Sequence, residues 1–299
     1  MQAMRFVIPT ALALLVFYPA VPAAAQSGPS VLVVTAHPDD EAVFAATAYR
    51  ITHDLRGIVD LALITDGAGG YRFSVLAEDL YGLELTDPEV ASAYLPTIRK
   101  RELMAAGDIL GLRKYFFLDQ PDLGRTNDPD SILAHVWDVN FVAGQLDRIL
   151  AAGSYDFVFT HLPIPAFHSH HKAATILAIQ AVSRMPADEQ PVILGSLTSG
   201  GTDGANDFVQ LAGHPETRIV TDSGPFTFDR STKLGLDDRL DYSIIVDWLI
   251  AEYKSQGTMQ NFLGDAGLER FWVYEMNSDG AVEKADALLR AVREAPVPR

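Results

Sequence analysis

The sequence contains no cysteine among its 299 residues. This absence excludes disulfide bonds, zinc–thiolate clusters and a cysteine nucleophile. Basic residues are also scarce, since 23 Lys and Arg oppose 39 Asp and Glu and leave a formal net charge of −16. Phosphate binding depends on clustered basic side chains, so no nucleic-acid partner is expected. Beyond the N-terminal segment, no apolar run approaches the roughly 20 residues that span a bilayer.

The remaining composition is typical of a folded globular protein, with 48% hydrophobic and 21% charged residues. A chain of this length buries roughly 75% of its unfolded surface, which is enough for a large core. The sequence shows no internal repeat, no low-complexity segment and no shift in charge that would mark a domain boundary. Residues 26–299 are therefore predicted to form a single domain.

The N-terminal segment has the features of a secretory signal. One basic residue, Arg5, precedes an apolar run over residues 6–21, and small residues follow up to Ala25, as signal peptidases require. Two prolines interrupt the run, which is also too short for a membrane anchor. Residues 1–25 are therefore predicted to be a cleaved signal peptide. The mature protein is expected in the periplasm or outside the cell, without stable membrane insertion.

Strand and helix patterns alternate along the rest of the chain. The β-branched apolar run at 31–35 predicts a strand buried on both faces, and a helix at 42–53 and a strand at 59–65 complete a βαβ unit. This alternation predicts a doubly wound, mostly parallel α/β sheet of the Rossmann-like type, with helices on both faces. Further strands are predicted at 115–118, 157–160 and 192–197, helices at 99–110, 131–152, 172–182, 240–253 and 281–292, and loops at 71–96 and 199–204.

Chemically competent side chains follow two of the predicted strands. In a doubly wound sheet, ligands bind beyond the carboxyl ends of the strands. His37, Asp39 and Asp40 follow the first strand, and a histidine-rich loop at 161–171 follows the fourth. His37 and Asp40 are spaced to face one point, which His171 can approach from the later loop. Two imidazoles, one carboxylate and a water form an open catalytic zinc site, and Asp39 would be free to act as a base.

Each of these residues also has a commoner structural use. An aspartate at a helix start, such as Asp39 or Asp40, usually caps the helix. Histidines such as His168, His170 and His171 more often pack or face solvent than bind a metal. The convergence of both clusters on one sheet edge favours a hydrolytic metal site, but spacing alone leaves the two interpretations even.

Several segments resemble a known family. The segment from His37 to Glu41, His-Pro-Asp-Asp-Glu, directly follows a buried strand and resembles the signature of the LmbE-like (PIG-L) zinc-dependent de-N-acetylases, which remove acetyl from N-acetylglucosamine-type sugars. The segment from His168 to Ala173, His-Ser-His-His-Lys-Ala, resembles the family's second motif, His-Pro-Asp-His-Arg-Ala. Three weaker similarities are present at Arg99-Lys100-Arg101-Glu102, at Phe117-Leu118 leading to Asp122, and at Lys254-Ser255-Gln256. Together, these segments extend the resemblance over most of residues 31–260.

The resemblance implies one Zn²⁺ per chain, held by His37, Asp40 and His171. It implies Asp39 as the general base and His168 as an auxiliary acid or oxyanion partner. Zinc would lower the pKa of a bound water toward about 7, and Asp39 would accept its proton during attack on the acetamide.

Two further residues, Arg99 and Asp122, would contact the sugar according to the resemblance. Arg99 could equally form a surface ion pair, and Asp122 could shape a turn. One position departs from the family, since His170 stands where the second motif usually carries an aspartate that orients His168. This departure leaves open whether His170 or His171 binds the metal, and the motif register favours His171.

The sequence thus predicts an exported, zinc-dependent hydrolase that removes an acetyl group from an N-acetylated amino sugar or glycoconjugate. An alternative is an amidase for a longer acyl chain or a non-sugar amide, with apolar side chains of residues 71–96 lining an acyl pocket. A third possibility is a non-catalytic, zinc-containing sugar-binding module, for which the departure at His170 is the only support.

Overall fold

A computed structural model describes residues 28–123, 126–198, 205, 207–265 and 267–297. The predicted signal peptide at 1–25 and the predicted loop at 199–204 lie outside the described residues. No helix within the described ranges combines the length and the apolar character that crossing a membrane requires.

A seven-stranded sheet forms the centre of the structure, and a two-stranded hairpin lies apart from it. In the sheet, β3, β2, β1, β4 and β5 run parallel in that order, followed by β9, antiparallel to β5, and by the edge strand β6. The predicted mostly parallel α/β sheet is therefore confirmed. The strands are β1 (Ser30–Thr35), β2 (Ile58–Thr65), β3 (Lys114–Gln120), β4 (Phe157–His161), β5 (Val192–Thr198), β6 (Phe226–Asp229), the hairpin pair β7 (Lys233–Gly235) and β8 (Leu240–Asp241), and β9 (Leu268–Val273).

Helices cover both faces of the sheet. Along β1, Val31 and Val33 belong to one buried cluster, whereas Leu32 and Val34 belong to a second cluster on the opposite face. The alternation follows from the two-residue period of a strand, and it explains why this strand is apolar throughout. The helices are α1 (Ala45–Tyr49), α2 (Glu78–Tyr81), α3 (Pro88–Leu110), α4 (Pro129–His135), α5 (Val139–Gly153), α6 (Ser169–Ser183), α7 (Ser243–Glu252) and α8 (Ala281–Glu294).

The order of the strands reverses between β1 and β4. From β1 the chain proceeds outward to β2 and β3, and then returns to place β4 on the other side of β1. A crevice opens at such a switch point beyond the carboxyl ends of the two strands. Because β1 and β4 are in register, with Val33 opposite Phe159, the segments that follow them emerge side by side.

The prediction of a loop over 71–96 is wrong for its second half. Helix α3 begins at Pro88, not at residue 99, and it continues past Pro96 to Leu110. The Asp87 carboxylate caps this helix by accepting the backbone N–H groups of Glu89 and Val90, and a proline is well tolerated in the first turn. The first half of the segment consists of short helical turns, including α2.

Two other predicted helices have different bounds. The helix predicted at 131–152 is divided into α4 and α5, and the Asp138 carboxylate caps the second of these by accepting the N–H of Phe141. In the helix predicted at 240–253, the first residues instead form the hairpin strand β8, and α7 begins at Ser243. Strands β6, β7 and β9 lie in segments for which the sequence predicts no element.

Candidate active site

The loop after β1 turns the side chain of Asp40 back toward the end of the strand. Its Oδ2 accepts the backbone N–H groups of Ala36 and His37 at 2.9 and 2.8 Å. The same oxygen lies 3.6 Å from His37 Nδ1 and 3.4 Å from His171 Nδ1. The three predicted metal ligands are therefore gathered around one carboxylate oxygen.

The loop after β4 brings His168 to the same place. His168 is the N-cap residue of α6, and its Nδ1 accepts the backbone N–H of His170 at 3.4 Å. Its ring centroid lies 4.2 Å from that of His171 and 5.0 Å from that of His37. A separation of three residues places His168 and His171 on the same side of the helix start.

The donor atoms in this cluster fit a divalent metal. The Nδ1 of His171 is buried and forms no hydrogen bond with a described residue, although buried polar atoms normally have a partner. Imidazole and carboxylate donors in open sets of three are typical of catalytic zinc sites. Among the described residues, three overlapping sets have ligand atoms within 4.8 Å of one another: His37, His168 and His171; His37, Asp122 and His170; and Asp40, His161 and His171.

Asp122, which follows β3, lies behind His37. Its Oδ1 is 3.4 Å from His37 Nε2, and its side chain is 10% exposed. Metal-binding histidines usually donate their second ring N–H to a carboxylate, which orients the ring. Asp122 is placed for that role. It also lines the cleft, and its contact with a sugar stays a prediction.

His170 is buried and does not lie on the Asp40 side of the cluster. Its Nδ1 is 3.0 Å from His37 Nε2 and 3.3 Å from Asp122 Oδ1, and its Nε2 is 2.8 Å from the carbonyl oxygen of Leu123. Both ring nitrogens therefore have protein neighbours, whereas His171 faces Asp40. Position 170 thus supports His37 in this chain, and its backbone N–H donates to His168 Nδ1.

The backbone of Asp39 is strained, with φ 124° and ψ −19°. Residues other than glycine rarely adopt such a conformation, which costs of order 1–3 kcal/mol. Neighbouring groups hold it: the Asp39 N–H donates to Glu41 Oε2 at 3.2 Å, and the Tyr253 hydroxyl donates to Glu41 Oε1. The Gln256 side chain also donates to the carbonyl of Pro38. The segment after α7 therefore helps to fix the peptide group that joins Pro38 to the predicted base.

The two adjacent carboxylates have opposite pKa shifts. Burial, together with the charge of Asp40, raises the pKa of Asp39 well above its usual range. Burial also disfavours the Asp40 carboxylate, but the neighbouring imidazoles, first that of His171, hold the pKa of Asp40 well below its usual range. Carboxyl pairs whose environments separate their pKa values are typical of acid–base sites.

The histidines of the cluster also differ in the direction of their pKa shifts. Burial opposes the imidazolium form of His37, but the charges of Asp122 and Asp40 outweigh it and raise the pKa of His37 to about 10. Burial lowers the pKa of His171, and it lowers the pKa of His161 to about 3. The carboxylates that stabilise the protonated form of His37 would also stabilise a divalent cation bound to the ring in place of that proton.

Arg99 is buried in α3, with 3% of its surface exposed. Its Nη1 donates to the carbonyls of Gly67 and Gly69 at 2.6 and 2.5 Å, and its Nε donates to Ser255 Oγ at 3.3 Å. The guanidinium therefore ties the loop after β2 to the segment after α7. The surface ion pair considered for Arg99 is excluded by this burial, while its contact with a sugar stays a prediction.

The cluster opens into a cleft of about 1330 Å³. Exposed apolar side chains, among them Phe73 and Phe262, line it together with the histidines and carboxylates of the cluster. Gly69 is required in the wall, because a Cβ atom at this position would lie 2.5 Å from the carboxyl carbon of Asp122. The cleft has room for a ligand the size of a sugar with a substituent.

A doubly wound α/β fold with histidines and carboxylates gathered at its switch point defines a candidate metallohydrolase. Residues 32–182 match the sequence profile of the PIG-L family, described as GlcNAc-PI de-N-acetylase. The match spans half of the chain, and the chain belongs to the PIG-L family, as its motifs predicted. Deacetylases of this family hydrolyse N-acetyl amide bonds and depend on a metal.

Individual relatives agree with this assignment. The chain is 32% identical over 163 residues to the probable N-acetyl-α-D-glucosaminyl L-malate deacetylase 2 of Bacillus cereus. The aligned region covers 54% of this chain and 65% of that protein. The match thus spans less than two thirds of this curated relative.

Two solved structures share the fold. The N,N′-diacetylchitobiose deacetylase of Pyrococcus horikoshii has a TM-score of 0.50 and 17% identity, over 84% of this chain and 85% of that one. The 4-carboxy-2-hydroxymuconate hydratase of Pseudomonas putida also has a TM-score of 0.50, with 15% identity over 82% and 95% of the two chains. Because one is a deacetylase and the other a hydratase, the fold alone does not decide the reaction.

His161, Glu41 and Tyr253 belong to the site, although the sequence patterns assign them no role. A signal for His161 was present, since a histidine at the end of a buried strand lies where ligands bind. Glu41 lies inside the first motif, but its partner Tyr253 is 212 residues away in the chain, so no local pattern indicated the pair.

Proposed function

We propose that this chain is a zinc-dependent hydrolase that removes an acetyl group from an N-acetylated amino sugar or glycoconjugate. The observation that carries the proposal is the convergence of His37 and His171 on one oxygen of Asp40, beside the strained Asp39. Family membership supports amide hydrolysis over the hydration carried out by one structural neighbour.

One zinc ion per chain would be held by His37, Asp40 and His171. Two imidazoles and one carboxylate match the donor types that zinc takes in catalytic sites. Affinity alone does not select zinc over other transition metals, so the choice of zinc rests on donor type. When bound, the ion would polarise the acetamide carbonyl and acidify water.

The residues around the ion supply the proton transfers. Asp39, whose burial raises its pKa, accepts a proton from the attacking water while the oxygen of that water bonds to the acetamide carbon. His168, which lines the same cleft, stabilises the negative charge that develops on the carbonyl oxygen. The carbon–nitrogen bond then breaks, and the amine takes up a proton from Asp39 or His168. The products are acetate and a free amino sugar.

The substrate class is proposed from the relatives and from the size of the cleft. Both deacetylase relatives act on N-acetylglucosamine-containing molecules according to their names. A cleft of about 1330 Å³ accommodates such a molecule with a further substituent. We also propose that the enzyme acts outside the cytoplasm, which favours extracytoplasmic glycans or glycoconjugates as substrates.

A second candidate is an amidase for a longer acyl chain. Phe73, Met259 and Phe262 line the cleft and offer apolar surface to such a chain. Within the segment 71–96, Tyr71 and Phe73 line the cleft, whereas Tyr81 and Leu83 pack against a small buried cluster instead.

The test is acetate release from N-acetylglucosamine and diacetylchitobiose by purified, zinc-loaded protein, compared with the Asp39→Asn variant. We expect the variant to retain zinc and to lose activity by about 10²–10⁴-fold, because only the proton acceptor is removed. N-acyl analogues with longer chains are assayed in parallel to test the second candidate.

His37→Ala is the control for the metal, since it should lower both zinc content and activity. Full activity of Asp39→Asn would contradict the assignment of the base. Glycan binding without turnover of any acyl substrate would replace the proposal with a sugar-binding module.

A further inference from the structure

His161 is a buried histidine in the cluster for which the family resemblance implies no role. It is the last residue of β4 and is 4% exposed. Its carbonyl accepts hydrogen bonds from Thr175 Oγ1 at 2.8 Å and from the Tyr274 hydroxyl at 3.3 Å, so its backbone is held from two directions. The position of its side chain is therefore determined by the end of the central sheet.

The ring of His161 has apolar surfaces on one side and the cluster on the other. Phe44 and Phe167 contact it edge-on, with ring centroids 5.8 and 5.6 Å away. The ring of His171 lies 4.7 Å away, and the side chain lines the cleft. Within the described ranges, neither ring nitrogen of His161 forms a hydrogen bond. The ring nitrogens are not among the fully buried polar atoms, so a partner bound in the cleft can reach them.

Asp40 and His171 supply the other donors around that point. Ligand atoms of Asp40, His161 and His171 lie within 4.8 Å of one another, as do those of His37, His168 and His171. The two sets share His171, and Asp40 Oδ2 lies 3.6 Å from His37 Nδ1. His161 therefore lies close to Asp40 and His171, two of the three predicted ligands.

We propose that His161 is a fourth protein ligand of the metal centre, in addition to His37, Asp40 and His171. This inference rests on the metal site of the proposed function. Zinc in catalytic sites can expand to five-coordinate, so a fourth protein ligand still leaves one position for water. A donor set of three imidazoles and one carboxylate favours zinc or a similar transition metal over magnesium or calcium, which prefer oxygen ligands.

The experiment counts imidazole ligands directly. Purified protein is loaded with one equivalent of Zn²⁺, and X-ray absorption at the zinc edge gives the number of bound imidazoles. We expect three in the wild-type protein and two in His161→Gln. Competition with a chelating dye should show zinc affinity falling by about 10-fold or more in this variant. The control is His214→Gln, because His214 is a buried histidine that lies between Asp130 and Glu216 and outside the cluster.

An imidazole count of two in the wild type would overturn the inference. So would an unchanged count in His161→Gln, even with weaker binding, since His161 would then act from outside the coordination sphere. Folding is checked by circular dichroism, and His161→Asn serves if the glutamine variant does not fold. If neither folds, His168→Gln and His170→Gln decide: a count of three retained in both variants assigns the third imidazole to His161, and a loss in either overturns the inference.

Failure of the proposed function has a different signature. His171→Gln should also lose zinc affinity, because His171 belongs to both ligand sets. A wild-type protein that binds no zinc, or a His171→Gln variant with unchanged affinity, would contradict the metal centre itself and the inference with it. Loss of affinity in His171→Gln together with an unchanged imidazole count in His161→Gln would contradict only the inference.

Discussion

The backbone of Asp39 combines strain with a chemical role. Its φ of 124° lies in a region that glycine adopts without steric cost and other residues rarely adopt, yet the proposed reaction requires a carboxylate at this position. The contacts from Glu41 to Asp39 and from Gln256 to Pro38 hold the strained turn in place. Strain of this kind is tolerated at active sites when the surroundings enforce it.

We predict that Asp39→Gly is more stable than Asp39→Ala by about 1 kcal/mol, although both are inactive. Glycine relieves the backbone strain, and this gain exceeds the roughly 0.5–1 kcal/mol that its flexibility costs in the unfolded chain. Urea unfolding of both variants gives the difference.

The same pair of substitutions at Asp147 is the control for this measurement. Asp147 is exposed within helix α5, where alanine is expected to be the more stable by about 1 kcal/mol. If the alanine variant at position 39 were instead the more stable by about 1 kcal/mol, as expected at Asp147, the turn would carry no strain.

Helix α3 and the segment after α7 are joined by a buried polar network. Glu102 accepts the N–H and the hydroxyl of Ser255 at 2.8 and 2.7 Å and the hydroxyl of Tyr81 at 2.9 Å. Arg99, one turn earlier, donates to the carbonyls of Gly67 and Gly69. The two weak motifs, Arg-x-x-Glu and Lys-Ser-Gln, therefore contact each other in the folded chain. Their hydrogen bonds hold helix α3 against the segment after α7.

We predict that Arg99→Lys lowers the free energy of unfolding by about 2 kcal/mol. A lysine keeps the charge but lacks the planar fork that reaches several acceptors at once, so buried carbonyls lose their partners. Urea unfolding of the zinc-loaded protein measures the change.

Arg101→Lys, on an exposed position of the same helix, should change stability by less than about 0.5 kcal/mol. If Arg99→Lys left stability unchanged and raised only KM, a direct contact between Arg99 and the sugar would be favoured over the positioning role.

For the molecule as a whole, the compartment is a separate question from the fold. Because the chain has no cysteine, no disulfide can stabilise it in any compartment. Stability has to come from packing, and the two buried clusters on either side of the sheet supply it.

We predict that the protein expressed in full length in a bacterium with a general secretion system is recovered outside the cytoplasm with Gln26 as its first residue. Signal peptidases cleave after small residues such as Ala25. N-terminal sequencing of the purified protein measures this, and Ala25→Arg, which removes the small residue at the cut, should accumulate uncleaved. Recovery of the unmodified protein in the cytoplasm with Met1 or Gln2 first would contradict the prediction.

Much of this arrangement was predictable because it is local. The strand at 31–35 and the residues at 37 and 40 are contiguous, and strand ends in a parallel sheet share one edge. The helix bounds were less predictable. Asp87 and Pro88 are a helix-start signal, yet the presence of Pro96 within the helix concealed its length. Contacts of Asp122 with His37 and of Tyr253 with Glu41 join distant segments, and no periodicity encodes them.

Local patterns were enough to establish the α/β class, the family and the cluster of His37, Asp39, Asp40 and His171, because strand periodicity and strand-end spacing are properties of short segments. Only the tertiary structure decided that Asp122 and His170 support His37, that Arg99 is buried, and that His161 faces the same carboxylate. Those outcomes depend on which side chains meet when the ends of β1, β3 and β4 are brought together. That depends on packing across the whole sheet rather than on any single stretch of sequence.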